Sequence, residues 1–400
     1  MNDRAALDLL LAQGPLSRTR LGHLTGLSKP TASHLLARLE AAGLVVGSGT
    51  TAGRPGPGAK LYAVNPHAAR VAGADVTPGR ISVAVADLTG RVIGSHDLRY
   101  PEGAAAAGLL TRALDEAVAA AGLHRSDVHR TVVATPGSFD PGTGVLRYAD
   151  HLPRGWHSPT LREELAAALP MPVAYENDVD LAAVAEQRLG AARGHGDFVL
   201  LWNEEGLGAA LVLGGRLHRG STGGAGEVGF LPVPGHPLVR QVTRVGSGGY
   251  QALAGAQAVP ELAAELGIAL PPGAPGHSAG SGAPIGPGEP VGLAVALLRQ
   301  AAARPDGARL RLLRRYATAL ATGLASLVAV LDPEVVVLSG AVHDAGGDVL
   351  RELVAVELAD LAPSRPRLVS GTVRDRPVLR GALESALAAT RDEVFDTSRR

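Results

Sequence analysis

The chain has 400 residues, 46% of them hydrophobic, and its 38 basic residues balance its 38 acidic ones. This length and composition suit a small domain plus a larger body with cores of their own. There is no cysteine, which excludes disulfides and thiolate metal sites. Asp3 and Asp8 interrupt the apolar stretch at the N-terminus, and the apolar run 317–331 is too short to span a bilayer. We therefore expect a cytoplasmic protein without a signal peptide.

Residues 14–46 have the pattern of a helix-turn-helix. Ser17 is placed to cap a short helix that ends at Leu24, and Gly26 suits a tight turn with positive φ. Ser28 is placed to cap a second helix with Pro30 near its first turn, where the missing N–H costs nothing. The apolar face that joins the two helices consists of Leu21, Leu24, Leu27, Leu35, Leu36 and Leu39.

The second helix leaves short hydroxyls and cations pointing outward, and such groups reach base edges and phosphates in a major groove. The charge distribution also favours DNA binding. Residues 1–70 hold eight Lys/Arg against three Asp/Glu, a net charge of +5, which leaves −5 for residues 71–400. The alternative is an ordinary helical hairpin with a solvated charged face. The predicted DNA contacts here are Ser17, Arg18, Ser28, Lys29, Thr31, Ser33, His34 and Arg38.

Two short strands are predicted after the second helix, at 44–46 and 60–64, with a wing between them. Arg54 lies in that wing, where an arginine is able to enter a narrow A·T-rich minor groove. Arg54 is therefore a further predicted DNA contact. The alternative is a flexible linker in which this arginine only keeps the segment soluble.

An α/β pattern begins at Val71. Strands are predicted at 71–75, 80–87 and 92–98, then a helix at 104–121 and a strand at 131–134. A weaker repeat follows, with strands at 198–202 and 208–213, a long helix at 310–331 and a strand at 335–338. The repeat predicts two α/β lobes with a cleft between them, where small ligands bind and hinge closure occurs.

Short motifs in the body stand in the order found in ROK proteins: Pro136-Gly137, Glu176-Asn177-Asp178, Gly226-Glu227-Val228-Gly229 and Asp332-Pro333 with Ser339-Gly340. Nearly the full chain resembles this family of bacterial repressors, open reading frames and kinases, which are usually concerned with sugars. The resemblance implies an α/β body with the two-lobe actin-like, ribonuclease-H-like ATPase fold. Because ROK kinases normally lack a winged head, it also implies the regulator branch. The predicted domains are a winged helix-turn-helix at 1–66, a first lobe at 67–190 to which C-terminal residues return, and a second lobe at 191–395.

The kinase machinery of similar proteins is incomplete in this chain. ROK kinases carry an Asp-x-Gly-Gly-Thr phosphate loop, whereas Asp75 is followed by Val76-Thr77-Pro78, and Pro78 removes a backbone donor. Asp178 matches the family's catalytic base, but a base without a phosphate cradle performs no phosphoryl transfer. We therefore expect no kinase activity, no catalytic residue and no cofactor.

The zinc ligands of similar proteins are also missing. Those proteins bind zinc through one histidine and three cysteines, but Phe230 occupies the histidine position and the segment 243–252 has no cysteine. Ala252 falls where the family has a glutamate that contacts sugar. We expect the chain to bind no stoichiometric zinc.

The remaining matched positions predict an effector site formed by Gly137, Asn177, Asp178 and Glu227. Carboxylates and an amide that converge are good partners for sugar hydroxyls. Alternatively, Asn177 and Asp178 only cap the helix that follows them, and Glu227 is only solvated. Phe230 in place of a polar contact favours a less hydroxylated ligand, an aminosugar derivative or a compound that is not a sugar.

Three functions fit these patterns. The first is a repressor that binds double-stranded DNA at a palindromic operator as a homodimer or homotetramer, and that senses a sugar or sugar phosphate. The second is a DNA-binding protein whose degenerate body only dimerises. The third is a sugar kinase. In the repressor hypothesis, closure of the lobes around the effector would move the head, which is joined to the first lobe through Asn65-Pro66-His67.

Overall fold

The computed structural model describes residues 2–51, 58–99, 105–140, 142–147, 149, 152–236, 238, 248–270 and 289–396. The N-terminal head consists of three helices and a three-stranded antiparallel sheet in the order β1-β3-β2. Its elements are α1 (Asn2–Gln13), β1 (Leu16–Ser17), α2 (Arg18–Thr25), α3 (Lys29–Ala41), β2 (Val45–Thr50) and β3 (Lys60–Val64).

The local features that predict the helix-turn-helix are present in the head. Ser17 and Ser28 cap α2 and α3 by accepting the backbone N–H of the third residue after each. Gly26 ends α2 in the left-handed region with φ of 70°. The winged helix-turn-helix predicted from the sequence is therefore confirmed. The part of the wing that carries Arg54, residues 52–57, lies outside the described residues.

Two elements of the head were not predicted: α1, and β1 on the edge of the sheet. The apolar positions of α1 form a short stripe, Ala6, Leu7 and Leu10, which is buried in the head. Acidic residues interrupt this stripe in the sequence, so its periodicity is weak. Packing in the head, rather than helix pattern alone, explains why α1 is helical.

Residues from far along the chain complete the core of the head. Val394 and Phe395 belong to the same hydrophobic cluster as the leucines of α2 and α3, and Phe395 is 2% exposed. Leu88 also belongs to this cluster, and the guanidinium of Arg391 donates to its carbonyl oxygen over 2.9 and 3.1 Å. Arg4 forms an ion pair with Asp392 over 2.6 Å. The head is thus packed against body residues and is not attached only by a linker.

The first part of the body contains a five-stranded sheet and two helices. β4 pairs antiparallel with β5 and parallel with β7, and β5 pairs antiparallel with β6. The elements, in chain order, are β4 (Arg70–Thr77), β5 (Arg80–Asp87), β6 (Val92–Arg99), α4 (Ala106–Ala120), β7 (Arg130–Thr135), the short pair β8 (Ser138–Phe139) and β9 (Leu146–Arg147), α5 (Leu161–Ala168) and β10 (Val173–Asn177).

The second part contains another five-stranded sheet with helices packed on it. Its core includes the inward side of the long helix α10 and two buried tyrosines, Tyr250 and Tyr316. The elements are α6 (Asp178–Leu189), β11 (Phe198–Asn203), β12 (Leu207–Leu213), β13 (Arg216–Leu217), α7 (Gly249–Ala254), α8 (Ala258–Glu265), α9 (Glu289–Ala303), α10 (Gly307–Leu331), β14 (Val335–Ser339), α11 (Ala341–Leu361), β15 (Arg367–Ser370) and α12 (Pro377–Val394).

The two large sheets repeat one strand order. The first has the order β10-β7-β4-β5-β6 and the second β13-β12-β11-β14-β15. In each, the first three strands of the chain form an antiparallel meander, and the fourth pairs parallel with the first. The duplication predicted from the sequence is therefore present, and the mixed α/β fold class is confirmed. None of the helices in the described ranges combines the length and the hydropathy that a bilayer span requires.

The chain divides into two compact units. One comprises Met1–Ala134, Arg154–Tyr175 and Ala382–Arg400, and the other comprises Thr135–Pro153 and Glu176–Gly381. The units do not follow the boundaries predicted at residues 66 and 190, because the head packs with the first sheet and the C-terminal residues. The three-domain division stays a prediction.

Helix α6 is held in the second unit by one buried carboxylate. Glu186 is 1% exposed and accepts the backbone N–H groups of Ala191 over 2.7 Å and of Thr372 and Val373 over 2.8 Å each. A Cβ on Gly190 would overlap this carboxylate, so only glycine fits there. These bonds fix the segment after β15 against α6.

We expect Glu186→Ala to lower the free energy of unfolding by roughly 3 kcal/mol or more, because three backbone donors lose their acceptor. Glu186→Gln keeps one acceptor oxygen and should cost less. Urea unfolding followed by circular dichroism measures both. Equal stability of the alanine variant and the parent protein would contradict this role of Glu186.

Candidate DNA-binding and effector sites

The predicted recognition surface of the head is the exposed side of α3. Lys29, Thr31 and His34 are exposed, while Leu35 and Leu36 on the other side are buried. The Ser28 hydroxyl caps the helix and lies 2.8 Å from the Thr31 hydroxyl. Cation, imidazole and hydroxyl groups thus line the start of α3, as a major-groove reader requires.

The remaining predicted contacts of the head are partly engaged within the protein. Arg18 donates to the Ser33 hydroxyl over 3.0 Å, and Ser33 donates to the Lys29 carbonyl oxygen over 2.9 Å. The Ser17 hydroxyl accepts the backbone N–H of Arg20 over 3.3 Å. Arg18 is exposed, so its guanidinium lies at the surface beside α3.

Arg38 has an acidic partner in the head. Its guanidinium forms an ion pair with Asp3 of α1, with 3.1 Å between Nε and Oδ2, although the Arg38 side chain is 60% exposed. The Asp3 side chain is only 6% exposed, so Arg38 compensates a largely buried charge. No local pattern points to this pair, because α1 itself was not predicted. Of the two α3 cations, Lys29 is therefore the stronger candidate for a phosphate contact.

The tripeptide Glu176-Asn177-Asp178 lies at the junction of β10 and α6. The Asn177 Oδ1 atom caps α6 by accepting the N–H groups of Val179 over 2.8 Å and Asp180 over 3.1 Å. Its Nδ2 donates to the Gly137 carbonyl oxygen over 2.8 Å, and one carboxylate oxygen of Asp178 accepts the Val179 N–H over 2.8 Å. Asn177 therefore has the capping role that the sequence allowed, and it joins Gly137 to the start of α6.

Glycines hold the loop that carries Glu227 close to β12 and β8. Gly226, with φ of +99°, lies so near the Ala209 carbonyl that a Cβ would overlap its oxygen. A Cβ on Gly223, with φ of +79°, would lie 2.6 Å from the Phe139 carbonyl oxygen. Because no side chain fits at these two points, the backbone of the loop lies directly on β12 and on β8.

Two more charged side chains belong to this region and were missed from the sequence. Arg219 donates to the Glu176 carboxylate, with 2.8 Å between Nε and Oε2. Asp180 is 4% exposed, and burial raises its pKa, with the charge of Glu176 adding to the shift. The acidic spacing of Glu176, Asp178 and Asp180 was visible in the sequence, whereas no local pattern points to Arg219 as the partner.

Glu227 is partly buried, and burial alone raises the pKa of its carboxyl group to about 7. A carboxyl in this state differs from a merely solvated one, because burial deprives its ionised form of the hydration that water would supply. The predicted effector residues thus include carboxyl groups at Asp178 and Glu227 and the fixed amide of Asn177.

The region around Phe230 has a polar network where similar proteins have zinc ligands. Gln251, 5% exposed, accepts the Leu207 N–H over 2.6 Å and lies against Gly229. Tyr250 is fully buried and donates to the Leu320 carbonyl oxygen over 2.6 Å. Residues 243–247 of the compared segment lie outside the described residues. Within the described ranges, no cluster of three or more histidine or acidic side chains is arranged to hold a metal ion.

The chain is similar to known proteins in both its sequence and its fold. The sequence model of the ROK family matches residues 71–389, and that of winged helix-turn-helix DNA-binding domains matches residues 2–46. A crystal structure of a ROK family transcriptional regulator, a homolog of the E. coli MLC protein, superposes with a TM-score of 0.74. The superposition covers 98% of this chain and 97% of that one at 20% identity, which shows a shared fold.

Two curated relatives are similar over about half of the chain. The bifunctional enzyme NanE/NanK of Brucella suis is 37% identical over 205 residues, which are 51% of this chain and 33% of that protein. The xylose repressor of Bacillus spizizenii is 24% identical over 237 residues, which are 58% of this chain and 60% of the repressor. The chain therefore spans less than two thirds of the length of these relatives.

Glu227 should make stability depend on pH. An unfolded glutamate ionises near pH 4.5, whereas Glu227 in the folded protein ionises near 7. The contribution of Glu227 to the free energy of unfolding is therefore complete below about pH 4.5 and is lost as pH rises through about 7. Between pH 5 and pH 8 we expect Glu227→Gln to gain about 2 kcal/mol of stability relative to the parent protein.

Urea unfolding at the two pH values measures this gain. Glu205→Gln, the same substitution at an exposed position, is the matched control. A stability difference for Glu227→Gln that stays constant from pH 5 to pH 8 would show that Glu227 is not the titrating group.

Proposed function

The chain belongs to the ROK family, and we propose that it is a DNA-binding transcriptional repressor whose body senses a sugar or a sugar-derived effector. The observation that carries this proposal is the shared core of head and body, in which Val394 and Phe395 pack with the leucines of the helix-turn-helix. A head that shares its core with the body is coupled to it. The similarity to a xylose repressor supports the same reading.

The DNA-binding surface in this proposal is the exposed side of α3 with Arg18 beside it. Lys29, Thr31 and His34 contact the major groove, and Arg54 contacts the flanking minor groove. One head reads one half-site, so two heads related by a twofold axis read a palindrome. The protein therefore acts as a homodimer, or as a homotetramer built from such dimers.

The effector in this proposal contacts Asp178 and Glu227, with Asn177 and Gly137 fixing the position of α6. Hydroxyl or amine groups of the ligand donate to the two carboxyl groups. Phe230 stands beside Glu227 in the same loop and favours an apolar part of the ligand at that side. The effector is thus less hydroxylated than a simple hexose.

A sugar kinase is the second candidate, because Asp178 occupies the position of the family's base and NanE/NanK is among the relatives. Pro78 in the β4–β5 turn argues against a kinase. Kinases of the family have a glycine at this position, whose backbone N–H is a donor for phosphate, and proline has no N–H. Turnover of ATP with any sugar of a test panel would favour the kinase. A third candidate is a body that binds no ligand, which is favoured if no sugar or sugar phosphate raises the melting temperature.

Lys29→Ala should weaken binding to a DNA duplex selected from a random library. It should also reduce the magnitude of the slope of log K for DNA binding against log salt concentration by about one. Arg38→Ala should lower the slope less, because Asp3 already pairs with that guanidinium. Fluorescence anisotropy at several salt concentrations measures both slopes. Arg304→Ala, which removes an exposed arginine of the body, is the control. Unchanged binding after loss of Lys29, Arg38 and Arg54 together would overturn the DNA-binding proposal.

Asp178→Ala should leave DNA affinity intact and abolish release by the compound that raises the melting temperature of the parent protein. Asn177 still caps α6 in this variant, so the fold should persist. Asp178→Asn keeps an acceptor for the Val179 N–H and separates loss of charge from loss of the cap. Loss of DNA binding in the alanine variant would assign Asp178 a structural role, and an unchanged response would remove it from the effector site.

A further inference from the structure

The loop that carries Glu227 is attached to β12 at two points. At the first point, the Gly226 carbonyl oxygen accepts the Ala209 N–H over 2.9 Å. At the second point, the loop lies against the first residue of β12, since a Cβ on Gly229 would stand 3.0 Å from the Leu207 carbonyl oxygen. Glu227 lies between the two points, so its position depends on both of them.

Gln251 of α7 stands at the second point. Its side chain is 5% exposed, and its Oε1 atom accepts the Leu207 N–H over 2.6 Å. A Cβ on Gly229 would lie 3.4 Å from the same oxygen. The start of β12, the loop and α7 therefore meet at one buried amide group.

The nitrogen of this amide is bonded as well. It donates to the Oε1 atom of Gln257 over 3.2 Å, and the Gln257 amide donates back to the Gln251 carbonyl oxygen. Gly255 leaves room for the group, because a Cβ there would lie 2.3 Å from Gln251 Nε2. Bonds at both its oxygen and its nitrogen fix the orientation of the Gln251 amide.

Helix α7 is itself anchored in the core of the second unit. The Tyr250 N–H donates to the Leu231 carbonyl oxygen over 2.9 Å, and its hydroxyl donates to the Leu320 carbonyl oxygen of α10. The Tyr250 ring fills the space that a Cβ on Gly323 would need. Gln251 therefore extends from a fixed helix to the loop.

Similar proteins bind zinc in this region, but the side chains present here do not fit that metal. Phe230 has no ligand atom, and the segment 243–252 contains neither histidine nor cysteine. The Tyr250 hydroxyl and the Gln251 amide are engaged in hydrogen bonds. A zinc site needs about four nitrogen, sulfur or oxygen ligands. Hydrogen bonds thus stand where a metal would otherwise join the loop to α7.

We propose that Gln251 is a positioning residue of the effector site, and that it holds the loop of Glu227 on β12 by hydrogen bonds in place of a metal ion. Gln251 acts through Leu207 and Gly229 and does not contact the effector. The inference rests on the proposed function in taking Glu227 as an effector contact. The response to the effector is then independent of the zinc supply.

The pKa of Glu227 reports on this positioning, because burial raises it to about 7. Gln251→Met keeps the length of the side chain and removes its hydrogen bonds. The released loop should hydrate Glu227, so we expect its pKa to fall by one pH unit or more towards 4.5. The pKa is measured as the pH midpoint at which Glu227→Gln alters the urea unfolding midpoint, in the parent protein and in Gln251→Met.

Gln187→Met is the matched control. Gln187 also fixes a backbone group, since its amide donates over 3.0 Å to the Gly215 carbonyl oxygen beyond the other end of β12. This variant should leave the pKa of Glu227 at about 7. A general loss of stability would affect both variants, whereas a shift of the pKa requires that the loop of Glu227 moves.

Gly229→Ala tests the same contact without a change at Gln251. Its Cβ would lie 3.0 Å from the Leu207 carbonyl oxygen, which should push the loop outward and again lower the pKa of Glu227. The backbone at Gly229 does not lie in the left-handed region, so alanine adds no strain of that kind. This variant decides the question if Gln251→Met does not fold.

Effector binding provides a second measurement. For the sugar or sugar phosphate that most raises the melting temperature of the parent protein, Gln251→Met should raise the dissociation constant at least tenfold. Addition of one equivalent of zinc should not restore it. If no compound of the panel binds the parent protein, the proposed function fails, whereas the pKa measurement needs neither effector nor DNA and still tests the role of Gln251.

Two results would overturn the proposal. A pKa of Glu227 that stays at about 7 in both Gln251→Met and Gly229→Ala would show that Gln251 does not position the loop. Loss of effector binding from the parent protein on treatment with a zinc chelator, and its return with zinc, would show that a metal holds the loop instead.

Discussion

The buried carboxylate of Glu186 is the contact on which much of the second unit depends. It lies near the end of α6 and accepts backbone N–H groups on both sides of a long sequence gap, at Ala191 and at Thr372 and Val373. The start of α6 carries Asn177 and Asp178, two of the predicted effector residues, and the segment after Val373 leads into α12. One side chain thus ties the end of α6 to the segment that leads into α12.

The first turn of α12 also packs directly on α6. Gly381 lies so close to the Leu181 carbonyl that no side chain would fit. From there the helix continues to Val394, in the core of the head. The close backbone packing near the start of α12 and the apolar contacts at its other end differ in kind. The first fixes position strictly, whereas the second tolerates small shifts.

Much of the fold could be predicted from local patterns, because helix caps, turns and strand alternation depend on residues that are close together in the sequence. Ser28 and Gly26 are examples, and so is the cap at Asn177, which was one of two interpretations that the sequence left open. The pairs that define the candidate sites are of another kind. Asp3 with Arg38, and Glu176 with Arg219, join residues that only the fold brings together, and no periodicity marks them. The same holds for Gln251 beside the Glu227 loop.

Phe395 in the core of the head has a consequence for protein synthesis. A ribosome makes the helix-turn-helix first, but the aromatic ring that fills its core is made only after the whole body. The nascent head therefore lacks part of its apolar burial until translation has passed residue 395, and it stays less stable than the finished head. The core of the head is thus completed only after the body has been synthesised.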